Sequence, residues 1–174
     1  MKFSQPAWPR AFPTALIVNL ATLGSVGERL PAPGTWGAAA GVIWFALFFR
    51  LHTPLESLVA NALMIWLAVG VCGEAEVRLG QKDPGMIILD EFVAMPLCFL
   101  AWRWLTDLAP PLVILLAGFA LFRFFDILKP LGIKKLQDLP GGWGVVLDDV
   151  AAALATCASL HVLHLGWLVG RRFL

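Results

Sequence analysis

The sequence predicts an all-α polytopic membrane helical bundle, with about five spanning helices and a short N-terminal partial helix. Three observations predict it. Of 174 residues, 59% are hydrophobic and only 14% charged, whereas a soluble domain averages roughly 45–50% apolar and about 25% charged. The mean hydropathy is +0.79. The apolar residues come in long runs, not in the alternating stretches of about 10 residues that a membrane β-barrel needs. Eight Trp and no Tyr fit a chain whose interfacial anchors are indoles. The lipid bilayer is therefore the expected surrounding, and one domain, residues 1–174, accounts for the whole pattern. A formal charge of +1 argues against nucleic acid as a partner, because its binders carry basic stripes.

The elements follow in order. A run at residues 11–23 is shorter than the roughly 20 residues of a crossing, so it predicts a partial helix. The N-terminal sequence lacks the continuous apolar core and small-x-small site of a signal peptide, so it is expected to stay on the mature protein. Runs at 37–51, 55–73, 86–105, 112–128 and 145–169 predict the five spans. Short connections, RLHTP and RWLTDLAPP, alternate with longer polar ones, GSVGERLPAPGTW, GEAEVRLGQKDPG and KPLGIKKLQDLPGGWG. If each run crosses once, the three longer connections share one face. That face carries Arg29, Arg78, Lys82, Arg123, Lys129, Lys134 and Lys135, against Arg50, Arg103, Arg171 and Arg172 opposite. The excess predicts a cytoplasmic position for it. Cys72, Cys98 and Cys157 lie far apart in apolar runs and form no C-x-x-C, so neither a zinc knuckle nor a redox pair is expected.

Two acidic pairs interrupt the apolar runs: Asp90-Glu91 and Asp148-Asp149. An ionised carboxylate at the centre of a membrane helix costs at least about 2.5–3.5 kcal/mol. A bound cation is the simplest partner for four of them. Carboxylate oxygens suit a hard cation such as Mg²⁺, which keeps waters and completes its shell with substrate phosphate. The competing reading is that the acids merely complement a helix dipole. The apolar MIIL between Asp83-Pro84-Gly85, the expected cap, and Asp90 counts against it, as does VVL before Asp148.

Arg123, Asp126 and Lys129 fall at i, i+3 and i+6, on one helix face. Asp126 is expected near the metal, with Arg123 as a bidentate fork and Lys129 as a point charge on phosphate. The competing reading is a snorkelling Arg beside an intrahelical Asp–Lys pair. Thr35 is expected as an N-cap whose neighbouring amides can hold an anion, and an ordinary cap is the alternative. Glu74, Glu76 and Asp83 are expected in a solvated loop, with a Glu74–Arg78 pair at i, i+4. His161 and His164 lack an obvious third metal ligand.

Four motifs, PAPGTWG (31–37), KDPGMIILDEFVAM (82–95), FRFFDILKP (122–130) and LPGGWGVVLDDVAAA (139–153), resemble in order and spacing those of the bacterial phosphatidylglycerophosphatase A family. The resemblance covers nearly the whole chain. It implies a Mg²⁺-dependent lipid phosphatase that converts phosphatidylglycerophosphate to phosphatidylglycerol and inorganic phosphate at the cytoplasmic side of the bacterial inner membrane. The family's acidic positions map onto Asp90, Glu91, Asp126, Asp148 and Asp149. Ala94 and Ala153 stand where Gly is expected, and Leu131-Gly132 replaces an expected Trp-Pro.

The combined expectation has Asp90, Glu91, Asp148 and Asp149 holding Mg²⁺, with Asp90, Glu91, Asp126 and Asp149 as the catalytic carboxylates. Thr35, Lys82, Arg123 and Lys129 would bind the substrate phosphate. Asp126 orients water or completes the metal shell, and direct water attack and an aspartyl-phosphate route are both open. No oligomeric state follows. The alternatives are a lipid phosphatase for another headgroup and a small ion- or proton-coupled transporter. Clustering of the acids at one face and the lack of a repeat disfavour the transporter.

Overall fold

The computed structural model describes residues 4–130 and 132–172. It is all-helical among them. The expected partial helix is α1 (Thr14–Ala21), followed by the single turn α2 (Val26–Arg29). The second run becomes α3 (Pro33–Trp44), which continues into a π-helical turn at Phe45–Phe49. The third run becomes α4 (Pro54–Leu79), opened by a capping box. There the Thr53 amide donates to Glu56 Oε2 at 2.7 Å, and the Glu56 amide donates to Thr53 Oγ1 at 3.3 Å. GEAEVRL is rich in helix formers, so α4 runs beyond its apolar stretch until Gly80, at φ +64°, supplies a left-handed C-cap. Glu74 and Glu76 consequently lie on the helix and are buried, not in a solvated loop.

The fourth run does not form one helix. α5 (Leu89–Ala94) gives way to a 3₁₀ turn at Met95–Phe99, and α6 (Trp102–Leu105) follows a left-handed Ala101 at φ +57°. Pro96 has no N–H and its ring opposes an α-helical path. Irregular backbone at membrane depth is tolerated when protein encloses it. Val93, Ala94, Met95, Leu97, Cys98 and Phe99 are all buried here, against α3, α4, α7 and α8. α7 (Pro111–Leu128) and α8 (Gly142–Gly170) match the last two runs. Among the described residues, α4, α7 and α8 are the helices long and apolar enough to cross a membrane.

Close approach sets the packing. α8 meets α4 where Gly142 faces Gly73 and the Val69 carbonyl, and a β-carbon on Gly142 would sit 2.8 Å from the Gly73 amide nitrogen. α3 meets the 3₁₀ turn at Gly41, where a β-carbon would come within 2.6 Å of Met95 Cβ. Small residues at helix contacts are what membrane bundles use, because lipid provides no hydrophobic drive between helices. Ala94 and Ala153 are completely buried, so the methyls that differ from the expected glycines are accommodated in the core. Leu131 lies outside the described residues. The result brings the N-terminal ends of α3, α5 and α8 together with the C-terminal ends of α4 and α7.

Gly142→Ala is expected to destabilise the bundle by about 1–3 kcal/mol, the cost of overpacking a tight contact. Gly166 has open space around it, so Gly166→Ala is expected to be neutral or to stabilise by up to about 1 kcal/mol. Thermal denaturation of both variants in detergent checks the contrast. Equal melting temperatures would contradict the packing described.

Candidate active site

The acidic pairs converge through backbone that differs from expectation. α5 starts at Leu89, so Asp90 and Glu91 occupy its first turn, and the MIIL stretch is mainly an irregular lead-in. The Ile88 amide of that lead-in donates to the Ala21 carbonyl at 2.9 Å and is fully used in tertiary structure. Asp83 therefore does not cap α5. α8 starts three residues before the expected position, at Gly142, and places Asp148 and Asp149 in its second turn.

Asp90, Glu91 and Asp149 each bring a carboxylate oxygen to within 4.8 Å of the other two. Asp90 and Asp149 are buried. Glu91 Oε2 is buried without a hydrogen-bond partner. Arg123 approaches the cluster from α7, with Nη1 3.7 Å from Glu91 Oε1 and 2.6 Å from Asp126 Oδ2. Lys129 Nζ lies 3.6 Å from Asp126 Oδ1 and donates to Asp148 Oδ2. Burial is the largest single influence on Lys129 and opposes its charge, but the Asp148 hydrogen bond together with the charges of Asp148, Asp149 and Asp126 outweighs it and holds the ammonium above the ordinary lysine range.

The second acidic pair is thus divided. Asp149 joins Asp90 and Glu91, whereas Asp148 pairs with Lys129 and stands outside the three-oxygen group. Its other oxygen, Oδ1, is buried and unpartnered. Arg123, Asp126 and Lys129 do share the face their spacing predicts. Thr35 is not an N-cap: α3 begins at Pro33 with Ala32 in the cap position, which puts Thr35 in the first turn. Lys82 Nζ donates to the Gln137 carbonyl at 2.8 Å. Among the described residues, His161 and His164 belong to no metal-binding group.

The acids line a cleft of about 160 Å³ with Asp83, Gly85, Ile87, Lys129 and Val145. Asp83 is the residue sequence reasoning missed as a cleft component. Its amide donates to Glu76 Oε1 at 2.6 Å, its Oδ2 accepts from Gln137 Nε2 at 3.3 Å, and its φ is +45°. The signal was its place in KDPG, taken for a helix cap. Gly34 and Gly37 make room for the site. A β-carbon on Gly34 would lie 3.2 Å from Glu91 Cδ and 3.1 Å from Arg123 Nη1, and one on Gly37 would lie 3.3 Å from Glu91 Oε2.

Six carboxylates, Asp83, Asp90, Glu91, Asp126, Asp148 and Asp149, line the cleft, and Arg123 and Lys129 are the cations paired with them. The excess of negative charge, the oxygen-only donors and the unpartnered buried oxygens fit a hard divalent cation. Arg123 Nε, also buried without a partner, leaves a donor for an anion.

Fold and site define a helical membrane protein with an acid-lined cleft at one end, suited to a divalent cation and an anionic group. The chain belongs to the phosphatidylglycerophosphatase A family, whose model matches residues 19–164. It is 38% identical over 130 residues to phosphatidylglycerophosphatase A of Haemophilus influenzae, covering 71% of this chain and 74% of that one. It is 30% identical over 146 residues to phosphatidylglycerophosphatase A of Escherichia coli, covering 79% and 77%. A protein of Bacteroides thetaiotaomicron named as a putative phosphatidylinositol-3-phosphatase is 34% identical over 167 residues, covering 91% and 98%. No solved structure matches the chain.

Lys129→Met leaves Asp148 buried without its partner and is expected to cost about 3–5 kcal/mol of stability. Asp148→Asn in that background is expected to recover most of the loss. A double-mutant cycle on thermal stability checks the pair, and additive losses would contradict it.

Proposed function

We propose that the protein is a Mg²⁺-dependent phosphatidylglycerophosphatase, which hydrolyses the phosphomonoester of phosphatidylglycerophosphate to phosphatidylglycerol and inorganic phosphate in phospholipid biosynthesis. The observation that carries this reading is the convergence of Asp90, Glu91 and Asp149 within mutual ligand range, beside Arg123 and Lys129. The family and the Haemophilus and Escherichia relatives support the choice of headgroup.

Asp90, Glu91 and Asp149 would hold Mg²⁺, whose chemistry there is neutralisation of phosphate charge and polarisation of a water. Arg123 and Lys129 bind the phosphate oxygens and stabilise the charge that grows in the transition state. Asp148 positions Lys129 through their ion pair. Asp126, fixed by both cations, orients the attacking water and receives its proton. The water oxygen forms the new bond to phosphorus as the bond to the glycerol oxygen breaks. The departing alcohol takes up the proton from Asp126. Products are the lipid alcohol and inorganic phosphate.

The cleft is assigned to the cytoplasmic side of a bacterial inner membrane. Arg123 and Lys129 are engaged with carboxylates and Arg78 with Glu74, so Lys134 and Lys135, both exposed, are the clearest orienting charges at the cleft end. A cysteine placed at Lys134 is expected to label only from the cytoplasm.

A second headgroup reading has a specific basis, since the Bacteroides relative aligns over nearly its whole length. Phosphate release by purified protein from phosphatidylglycerophosphate, phosphatidylinositol-3-phosphate and phosphatidate decides between them. The first is expected to be fastest, with activity lost in EDTA and restored by Mg²⁺. Asp126→Asn is expected to lower kcat by roughly 10²–10⁴-fold. Asp90→Asn and Asp149→Asn are expected to abolish turnover and also the rise in melting temperature that Mg²⁺ gives the unsubstituted protein. Full activity in EDTA, or near-normal activity in both variants, would overturn the proposal.

A further inference from the structure

α3 and α7 run antiparallel away from the cleft, and an open apolar groove of about 390 Å³ lies between them. Both walls start at the site. On α7, Leu112, Leu116 and Phe119 line the groove, and the same spacing of four and three residues continues to Arg123 and Asp126. On α3 and the π-helical turn that continues it, Ala39, Val42 and Ala46 line the groove, and one turn back from Ala39 is Thr35. Residues three and four apart share a helix face. The apolar stripe on each helix is thus the continuation of a face that carries a polar residue at the cleft end. Gly34 closes the top, where a β-carbon would lie 3.1 Å from Arg123 Nη1. From Ala39 to Ala46 the groove wall extends about 10 Å down the helix. Leu112 and Leu116 are 66% and 59% exposed, so the groove opens sideways to its surroundings.

A larger apolar groove of about 450 Å³ lies between α1, α4 and α5, lined by Leu20, Met64, Val71 and Phe92 among others. Its α4 stripe continues from Val71 to Glu74, whose carboxylate is held by Arg78 at 2.9 Å. That stripe ends at Glu74, which does not line the acid cleft, whereas the α7 stripe of the α3–α7 groove continues to Arg123 and to Asp126, which does.

We propose that the α3–α7 groove holds an acyl chain of the lipid whose phosphomonoester is bound at Arg123. The proposal rests on the lipid phosphatase reading above. An acyl chain is the occupant because it is joined covalently to the group the cleft binds and needs an apolar path that begins there. Ala39 and Ala46 give the groove its depth, so large side chains at either position would fill it.

The test uses full-length protein in detergent with dioleoyl and dihexanoyl phosphatidylglycerophosphate. Ala39→Trp and Ala46→Trp are expected to lower kcat/KM roughly tenfold on the dioleoyl lipid while leaving the dihexanoyl lipid within about twofold. Val162→Trp, on an exposed face of α8, is expected to change neither. Equal losses on both lipids, or none on either, would overturn the proposal. A second measurement needs no variant: photo-crosslinking of the unsubstituted protein with a phosphatidate carrying a diazirine in one acyl chain. Labels are expected on α3 and α7 along the groove, and even labelling of the exposed faces of α4 and α8 would overturn the proposal. Groove labelling without phosphate release from any lipid would instead overturn the enzymatic reading alone.

Discussion

Carboxylates set among apolar helices must be neutralised, and most of the irregular structure in this chain answers to that requirement. Asp90 and Glu91 sit in the first turn of α5, where the helix dipole favours negative charge. Asp148 is matched by Lys129 and Asp126 by both Arg123 and Lys129. What is left over is Asp90, Glu91 and Asp149, three acids whose oxygens converge with one Arg123 contact among them. In the proposed function a divalent cation would satisfy them and would draw the substrate phosphate.

The scaffold delivers these groups from three separate elements, α5, α7 with its C-cap, and α8. α5 can carry its acids to the centre only because it is short and enclosed, with Pro96 ending its α-helical course and α3, α4, α7 and α8 covering the turn that follows. Glycines hold the approach open: Gly34 and Gly37 admit Glu91 and Arg123, and Gly73 and Gly142 let α4 and α8 touch. Lys82 and Gln137 tie the loop after α4 to the turn before α8, which fixes Asp83 on the rim of the cleft. The site lies at the end of the bundle, where the proposed lipid substrate would present its phosphate, and the apolar groove between α3 and α7 starts about one helical turn from it.

Composition and long apolar runs were enough to read the helical membrane class, and α4, α7 and α8 fall close to their expected positions. The fourth run was less legible because apolar content reports burial and not continuity. Protein, not lipid, surrounds residues 93–99, so a broken backbone there carries the same hydrophobic signal as a spanning helix. The i, i+3, i+6 spacing of Arg123, Asp126 and Lys129 was readable since the contacts of Asp126 with both cations are local. The partition of Asp148 from Asp149 was not, because it depends on where the C-terminal end of α7 places Lys129. Asp83 was misread for the same reason: its role is set by Glu76 and Gln137, distant contacts that no local pattern encodes. Thr35 shows the limit of cap signals, as Pro33 is an equally good first residue of a helix and begins α3 earlier.

The central claim is that Asp90, Glu91 and Asp149 form one cation site. Its most direct test is a crystal structure of the protein with Mn²⁺ replacing Mg²⁺, read by anomalous scattering. The account predicts a peak coordinated by oxygens of those three residues, absent in the Asp149→Asn variant. A peak elsewhere in the bundle, or three carboxylates hydrogen-bonded to one another with no metal between them at saturating Mn²⁺, would contradict it.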